Sequence, residues 1–316
     1  MSGPVRILVS SCLLGEKVRY DGGHKRDPFL VDTLGQFVEY VPVCPEVECG
    51  LPTPREAMHL VGNPADPHLV AIKTDADCTG RMKRWAHGKL SELEGLELCG
   101  YICKKGSPSS GMERVPVYGG SGIPSRVGAG MFTKAFMERF PLIPVEEEGR
   151  LRNPDLRERF VVRMFTLRRF RDAIRRGRAR GTLVEFHTSH KLLLLAHGRP
   201  LYAEMGKLVA RAKELPLEEL YRRYQRLLLE ALRRRATPAR CADALLHAMG
   251  YLRPLLSPDE KRELLEAIEQ HRNRLTPLVV PVTLTRHYAR KFDVVYLNRQ
   301  AFLNPHPVER MLQNHV

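Results

Sequence analysis

Short apolar runs, separated by stretches with helical periodicity, dominate the first 140 residues of the chain. Four runs have the length of one buried strand: residues 5–9, 37–43, 69–73 and 96–103. Helical spacing of apolar side chains is found between and after these runs, over residues 27–36, 80–94 and 130–140. Strands that alternate with helices are typical of an α/β layer, so the pattern predicts a Rossmann-like domain with a mainly parallel sheet.

From residue 151 onward the pattern changes to helical spacing with few interruptions. Residues 155–180 predict one long amphipathic helix with arginines on its polar face. Further helices are predicted over residues 186–197, 201–215, 217–235, 239–249 and 258–275, whereas residues 278–302 fit either helix or strand. Prolines and an acidic run interrupt any periodic element near residues 141–154. We therefore predict an α/β domain over residues 1–145 and an all-α domain over residues 151–316.

Three motifs rich in cysteine, serine, glycine and proline directly follow predicted strands. They are Ser11-Cys12-Leu13-Leu14-Gly15 with Arg19-Tyr20-Asp21-Gly22-Gly23, then Pro42-Val43-Cys44-Pro45-Glu46, then Lys104-Lys105-Gly106-Ser107-Pro108-Ser109-Ser110-Gly111. Open α/β sheets place their ligand sites at these strand ends. Thiolates gathered there favour an iron–sulfur cluster or zinc over a hard cation. The Gly- and Ser-rich stretch 117–128 predicts a mobile loop over such a site.

Composition narrows the class of protein. No stretch approaches the roughly 18 apolar residues that cross a bilayer, and no secretion signal is visible, so we expect a cytoplasmic protein without a membrane partner. The chain has seven cysteines. An odd count in a chain of this size indicates free thiols or metal ligands rather than disulfides.

Charge is divided very unevenly along the chain. Residues 151–316 carry 33 Lys and Arg against 17 Asp and Glu, whereas residues 1–150 carry 18 against 19. A neutral region followed by a strongly basic one favours a polyanion that one part holds and the other modifies. A solvated basic surface without a partner is the alternative. The candidate phosphate contacts are Arg168, Arg169, Arg175, Arg176, Arg178, Arg180 and Lys191.

Taken together, the three motifs resemble those of the thiouracil desulfidase (TudS) family. The helical region resembles a second family through Phe186-His187-x-x-His190-Lys191 and Tyr202-x-x-Met205-Gly206. In this order the two regions resemble the RudS-type desulfidases. The resemblance implies an enzyme that converts 4-thiouridine in tRNA to uridine and releases the sulfur as hydrosulfide, without net redox change. The alternatives are a desulfidase of free thiopyrimidines and a non-catalytic protein that binds thiolated tRNA; the oligomeric state stays open.

The same resemblance implies a [4Fe–4S] cluster with three protein ligands and one iron left open for the sulfur of the substrate. Two of the ligands fall on Cys12 and Cys44. The third falls on Ser110, where the family pattern has cysteine, and a serine hydroxyl is a poor substitute for a thiolate. Either Ser110 is a deliberate removal of a ligand, or Cys49 or Cys103 compensates. The otherwise intact motif favours the first interpretation.

General acid–base chemistry is expected of two residues within these motifs. Hydrolysis of a thiocarbonyl group needs a base that activates water for attack on the ring carbon. Glu46 is the candidate base. Ser107 matches the active serine of the family and is the candidate for relaying a proton or orienting the water. Tyr20, Asp21 and Arg55 recur within the matching motifs and are the candidate substrate-binding residues.

Overall fold

The computed structural model describes residues 4–119 and 123–307, together with residues 309 and 311. The chain divides into two compact units, Met1–Phe160 and Val161–Val316. The first unit combines strands and helices, whereas the second is helical. The predicted fold class, an α/β region followed by an all-α region, is therefore confirmed. None of the helices in the described parts of the chain is both long and apolar enough to span a bilayer.

The described strands of the first unit form two four-stranded sheets. In chain order they are β1 (Val5–Ser10), β2 (Val38–Val43), β3 (Met58–Val61), β4 (His68–Ala71), β5 (Gly100–Cys103), β6 (Val115–Tyr118), β7 (Pro124–Gly128) and β8 (Val145–Glu147). The helices of this unit are α1 (Pro45–Glu48), α2 (Thr79–Glu94), α3 (Met131–Arg139) and the start of α4 (Pro154–Arg176).

The main sheet has the strand order β2-β1-β5-β8, and all its pairs are parallel. The central strand β1 is apolar almost throughout, with Ile7, Leu8 and Val9 fully buried. This continuous burial is typical of a parallel strand that is covered on both faces. Because all four strands run the same way, the segments that follow β1, β2 and β5 leave the sheet at one edge.

The second sheet has the order β4-β3-β6-β7 and was not predicted as a separate sheet. The strand predicted over residues 69–73 is observed as β4, but it belongs to this sheet and not to the main one. The expectation of a mobile loop over residues 117–128 is wrong for the described part, because β6 and β7 pair as an antiparallel hairpin. Val115 and Val117 point into a core with Leu60 and Leu69. Buried and more exposed residues alternate over only four positions in β6, and the adjacent glycines and serines obscured this pattern in the sequence. Residues 120–122 of the predicted loop lie outside the described residues.

Two predicted elements differ locally from the observed ones, and one strand lies where none was predicted. The strand over residues 96–103 is shorter than predicted, because the chain turns at Glu97, whose φ is 52°, before β5 begins. Residues 27–36 form π and 3-10 turns instead of a regular α-helix. The acidic run near the predicted boundary contains a strand, β8, in which Glu147 is buried and accepts a hydrogen bond from the Met112 N–H at 3.0 Å.

The second unit consists of helices that pack around leucine-rich cores. After α4 they are α5 (Arg180–His197), α6 (Arg199–Ala210), α7 (Leu217–Arg233), α8 (Pro238–Leu252), α9 (Pro258–Arg272), α10 (Val279–Lys291) and α11 (Val295–Asn298). The single helix predicted over residues 155–180 is wrong at its end, because α4 stops before Gly177, whose φ is 155°. The ambiguous stretch 278–302 is helical, with Tyr288 and Leu297 in the core.

Candidate functional site

A cavity of about 290 Å³ opens at the edge of the main sheet where β1, β2 and β5 end. All three sequence motifs contribute to its wall. Of the predicted site residues, the wall contains Cys12, Tyr20, Cys44, Glu46, Arg55, Ser107 and Ser110. Asp21 does not line the cavity. The parallel sheet thus brings together residues that are distant in sequence, because parallel strands end at a common edge.

Two thiols face this cavity. Cys12 lies in the 3-10 turn that follows β1 and is 8% exposed. Its burial raises the pKa of the thiol to about 11, and the neighbouring Cys44 adds to the shift. Cys44 precedes α1, and its burial likewise raises its pKa. Both groups are therefore thiols at neutral pH, and binding of a metal would have to displace their protons.

The residues around the cavity supply the donor set of a [4Fe–4S] cluster only in part. Ser110 is 3% exposed and lines the same cavity as the two thiols. Neither proposed substitute does so: the Cys103 thiol is buried in the core, 3.5 Å from the Glu146 carbonyl oxygen, and Cys49 packs into the core of the second sheet. Within the described ranges, no three His, Cys, Asp or Glu side chains are grouped to hold a metal ion. Two of the three positions carry thiols, and the third carries a hydroxyl, which does not fit the cluster.

Glu46 is at the centre of a hydrogen-bonded chain of side chains. One carboxylate oxygen, Oε2, accepts from Arg55 Nε at 2.9 Å and from the Nη2 of the same guanidinium. The other, Oε1, accepts from Ser109 Oγ at 2.8 Å, and Ser107 Oγ lies 3.0 Å from Ser109 Oγ. The Glu46 and Arg55 side chains are 13% and 5% exposed. This arrangement can orient a carboxylate and pass a proton between Ser107 and Glu46.

Ser109 was missed by the sequence analysis. Its hydroxyl connects the two residues that were assigned acid–base roles, and the residue is 1% exposed. The signal that could have found it is the spacing within Ser107-Pro108-Ser109, since a serine two residues away can bond both the hydroxyl and the backbone of its neighbour. The Ser109 N–H does lie 3.3 Å from Ser107 Oγ.

The serine loop, residues 104–111 after β5, is held in place by hydrogen bonds and an ion pair. The Lys104 N–H donates to Ser10 Oγ at 3.1 Å, and the Lys105 N–H donates to a Glu148 carboxylate oxygen at 2.7 Å. Glu148 also forms an ion pair with the Lys104 ammonium group. Thr133 Oγ1 donates to the Ser110 carbonyl oxygen at 2.7 Å. The acidic run thus anchors the loop, a role that sequence reasoning did not assign to it.

The rim of the cavity carries an aromatic side chain. Tyr20 is 43% exposed, and the Arg19 guanidinium lies 5.3 Å from the centre of its ring. Asp21 shapes this loop: it accepts from the Gly23 N–H at 3.0 Å, which lowers the pKa of its carboxyl group. The exposed ring face of Tyr20 suits stacking against a planar base.

The close approach of α3 to the serine loop gives a stability prediction. A Cβ on Gly130 would lie 2.5 Å from the Ser110 nitrogen and 2.6 Å from the Gly111 nitrogen. Overpacking of this kind costs about 1–3 kcal/mol, so Gly130→Ala should unfold at lower urea concentration than the wild type. The matched control is Gly88→Ala in α2, where nothing lies within 4 Å. It should gain up to about 1 kcal/mol. Equal urea midpoints for the two variants would speak against this tight packing.

The predicted phosphate contacts occupy different environments in the second unit. Arg168 is 3% exposed and forms an ion pair with Asp172 at 2.9 Å, so its placement on a phosphate-binding surface is not supported. Arg169 pairs with Glu309 at 2.8 Å. Arg180 is held by the carbonyl oxygens of residues 212 and 215. Exposed side chains are found at Arg175, Arg176 and Arg178, and Lys191 is half-buried.

Fold and cavity together define an α/β protein with a thiol-lined site at the carboxyl edge of its sheet. Residues 7–148 match the family model of 2-thiouracil desulfurase, and residues 191–307 match a protein family of unknown function, DUF1722. The chain belongs to the 2-thiouracil desulfurase family, with a DUF1722 region C-terminal to that domain.

Three similar proteins cover parts of the chain. The uncharacterized protein YbgA of Escherichia coli (strain K12) is 28% identical over 148 residues, which are 46% of this chain and 88% of that protein. The uncharacterized protein YbbK of Bacillus subtilis (strain 168) is 31% identical over 110 residues, 33% of this chain and 72% of that protein. A solved structure of the [4Fe-4S]-dependent thiouracil desulfidase TudS is 35% identical in sequence to the matched part of this chain. The match covers 46% of this chain and 93% of the TudS chain, with a TM-score of 0.39.

Proposed function

We propose that this protein is a cytoplasmic desulfidase that removes sulfur from 4-thiouridine in tRNA. The supporting observation is the presence, in one chain, of a thiol-lined cavity in a 2-thiouracil desulfurase domain and of a region with 33 basic against 17 acidic residues. A polyanionic substrate explains that charge, because basic regions bind nucleic acid through its phosphates. If the substrate were a free thiopyrimidine, the positive charge of residues 151–316 would have no explanation, because a free base has no phosphates.

The proposed reaction is a hydrolysis in which one water enters and one hydrogen sulfide leaves, with no transfer of electrons to or from the protein. An iron–sulfur cluster held by Cys12, Cys44 and the thiolate of Ser110→Cys would supply one open iron that acts as a Lewis acid toward a thiocarbonyl group. Glu46 takes the proton of the attacking water on Oε1, where Ser109 already donates a hydrogen bond. Arg55 holds the carboxylate in place through its two N–H groups. Ser107 and Ser109 offer a path for returning that proton to the ring as the C–S bond breaks.

A second candidate function is favoured by Ser110. Without a third thiolate the chain lacks a complete donor set for the cluster, and a protein of this kind would recognise thiolated tRNA without changing it. The Tyr20 ring and the basic region would serve such recognition equally well.

The deciding experiment is anaerobic reconstitution of Ser110→Cys and of the wild type with iron and sulfide, followed by incubation with tRNA that contains 4-thiouridine. From Ser110→Cys we expect release of hydrosulfide and loss of the thiouridine absorbance, faster than with free 4-thiouracil at the same concentration. The wild type should release much less. Release from the free base alone would favour the rival enzyme. Tight binding of tRNA with no sulfur release, in the wild type and in Ser110→Cys alike, would favour recognition without catalysis.

Binding of tRNA should depend strongly on salt. Each neutralised phosphate contributes about −0.7 to −0.9 to the slope of log affinity against log salt concentration. We therefore expect the affinity of the full chain to fall steeply between about 50 and 200 mM salt. Thiolated and unthiolated tRNA should bind alike, because folded RNA is recognised largely by shape and backbone. Fluorescence anisotropy with labelled tRNA measures both properties. A flat salt response would count against a phosphate-based interface.

A further inference from the structure

A second cavity, of about 270 Å³, lies within the helical unit where α5 ends and α6 begins. Its polar wall consists of three arginine side chains, Arg199, Arg234 and Arg240, and one carboxylate, Asp243. None of these arginines was among the phosphate contacts predicted from the sequence. Three exposed guanidinium groups around one cavity create a positive local potential that attracts anions.

The positive charge of this cavity is largely uncompensated. The guanidinium groups of Arg199 and Arg234 make no hydrogen bond or ion pair with any residue that the structure describes. The Arg240 guanidinium donates to the Arg235 carbonyl oxygen at 3.0 Å. The single acid, Asp243, is already engaged by Arg272 at 3.3 Å. The donors that remain available therefore point to an anionic ligand.

The backbone around the cavity supports the same conclusion. The 12-residue helix α6 starts at Arg199 and has no side-chain cap; because Pro200 has no N–H, Arg199 and Leu201 supply the N–H groups of its first turn. Such N–H groups carry partial positive charge and are without partners inside the helix. His197 Nδ1 donates to the Arg234 carbonyl oxygen at 2.7 Å, which fixes this arginine beside the turn. Three arginine side chains thus surround one space beside the N-terminus of α6.

We propose that this cavity binds a phosphate group of the tRNA backbone, an inference that rests on the proposed function. Guanidinium groups present forked donors that match the oxygens of a phosphate. The cavity is slightly smaller than the about 300–1,000 Å³ of typical small-molecule pockets, so it suits one phosphate of a larger molecule better than a whole nucleotide. Its wall contains no aromatic side chain on which a base could stack. The contact would position the RNA without reading its sequence.

The test uses the full chain and labelled tRNA. The variant R199Q/R234Q/R240Q removes the three guanidinium groups. The matched control, R211Q/R222Q/R253Q, removes the same charge from exposed arginines elsewhere in the helical unit. We expect the cavity variant to bind tRNA about 10–100-fold more weakly, as for loss of charged hydrogen bonds, and to lower the salt slope by about 1. The control should change affinity by less than about threefold.

A single variant and two competing anions test the cavity further. R199Q alone removes an exposed side chain without partners, so it tests the site even if the triple variant folds poorly. Poly-glutamate and inorganic phosphate serve as competing probes, and we expect tRNA to bind far more tightly than either. If poly-glutamate bound as tightly as tRNA, and if this binding were lost in the cavity variants, the partner would be an acidic protein instead. Inorganic phosphate that binds as tightly as tRNA would show a site for the free anion.

The outcomes separate this inference from the proposed function. If the cluster-loaded protein desulfurates tRNA but the cavity variants bind like the control, the cavity is not a phosphate site and the function stands. If tRNA binding depends on the cavity but a cluster-loaded protein releases no sulfur, the site stands and the function is wrong. A wild type that does not bind tRNA would overturn both.

Discussion

In the Ser110→Cys background, replacing Glu46 by glutamine should lower the rate of sulfur release by about 10²–10⁴-fold, the usual contribution of a general base. The amide keeps the shape of the side chain and can still accept from Ser109, but it cannot take a proton from water. It also removes the charge that pairs with Arg55. Single-turnover kinetics with thiolated tRNA measures this loss directly. The visible spectrum of the reconstituted cluster should not change, since Glu46 is not among its expected ligands.

The control for this variant is Glu39→Gln, which makes the same chemical change on β2, where the carboxylate is 46% exposed and pairs with Arg6. Made in the same background, it should retain the rate of Ser110→Cys. Ser109→Ala should reduce the rate less than Glu46→Gln, because water can replace a hydroxyl that only relays a proton. A loss below roughly tenfold in Glu46→Gln would remove this residue from the role of base. The proton would then have to be taken by another group.

Replacing Ser110 by cysteine should give the protein a stable iron–sulfur cluster. The change adds a third thiolate to a cavity that already contains Cys12 and Cys44, and thiolates are the ligands that hold such clusters. After anaerobic reconstitution, the iron content of Ser110→Cys should approach about four per chain with a brown absorbance. The wild type should contain much less. Iron and acid-labile sulfide analysis measure this difference independently of any activity.

The controls for this variant are Cys49→Ser and Cys103→Ser. Since neither thiol lines the cavity, both variants should retain the iron content of their parent chain. Equal iron in the wild type and in Ser110→Cys, together with a loss in Cys49→Ser, would show that Cys49 completes the donor set after a local rearrangement. That result would refute the role of position 110.

The sequence predicted β1, β2 and β5 of the main sheet, because the two central strands β1 and β5 lie in continuous apolar runs. It missed β8, which lies in the acidic run, and in the second sheet it missed β3 and β6, which are only four residues long. Arginines maintain a helical pattern through residues 175–180, which hid the break at Gly177. The helical pattern also placed Arg168 on the polar face of α4, because it treats every arginine as exposed. Such a pattern does not show that an ion pair with a neighbouring acid, here Asp172, allows an arginine to be buried.

The site itself was only partly accessible to sequence reasoning. Its motifs could be grouped because parallel strands end at one edge of a sheet. The contact of Ser109 with Glu46 joins residues 63 positions apart, and that of Glu148 with Lys104 joins residues 44 apart. Such contacts depend on the order of the strands, which local patterns do not encode. The arginine cavity was missed because its members come from three separate helix ends.

The parallel pairing of the main sheet also affects the timing of biosynthesis. Ile7 of β1 pairs with Gly100 of β5, so the central strand leaves the ribosome long before its partner. At about 5–20 residues per second, this delay is on the order of 10 s. During that time the apolar segment of β1 has only β2 available as a parallel neighbour. An apolar strand that waits for its partner is exposed to aggregation, so the nascent chain is expected to depend on chaperones until β5 has emerged.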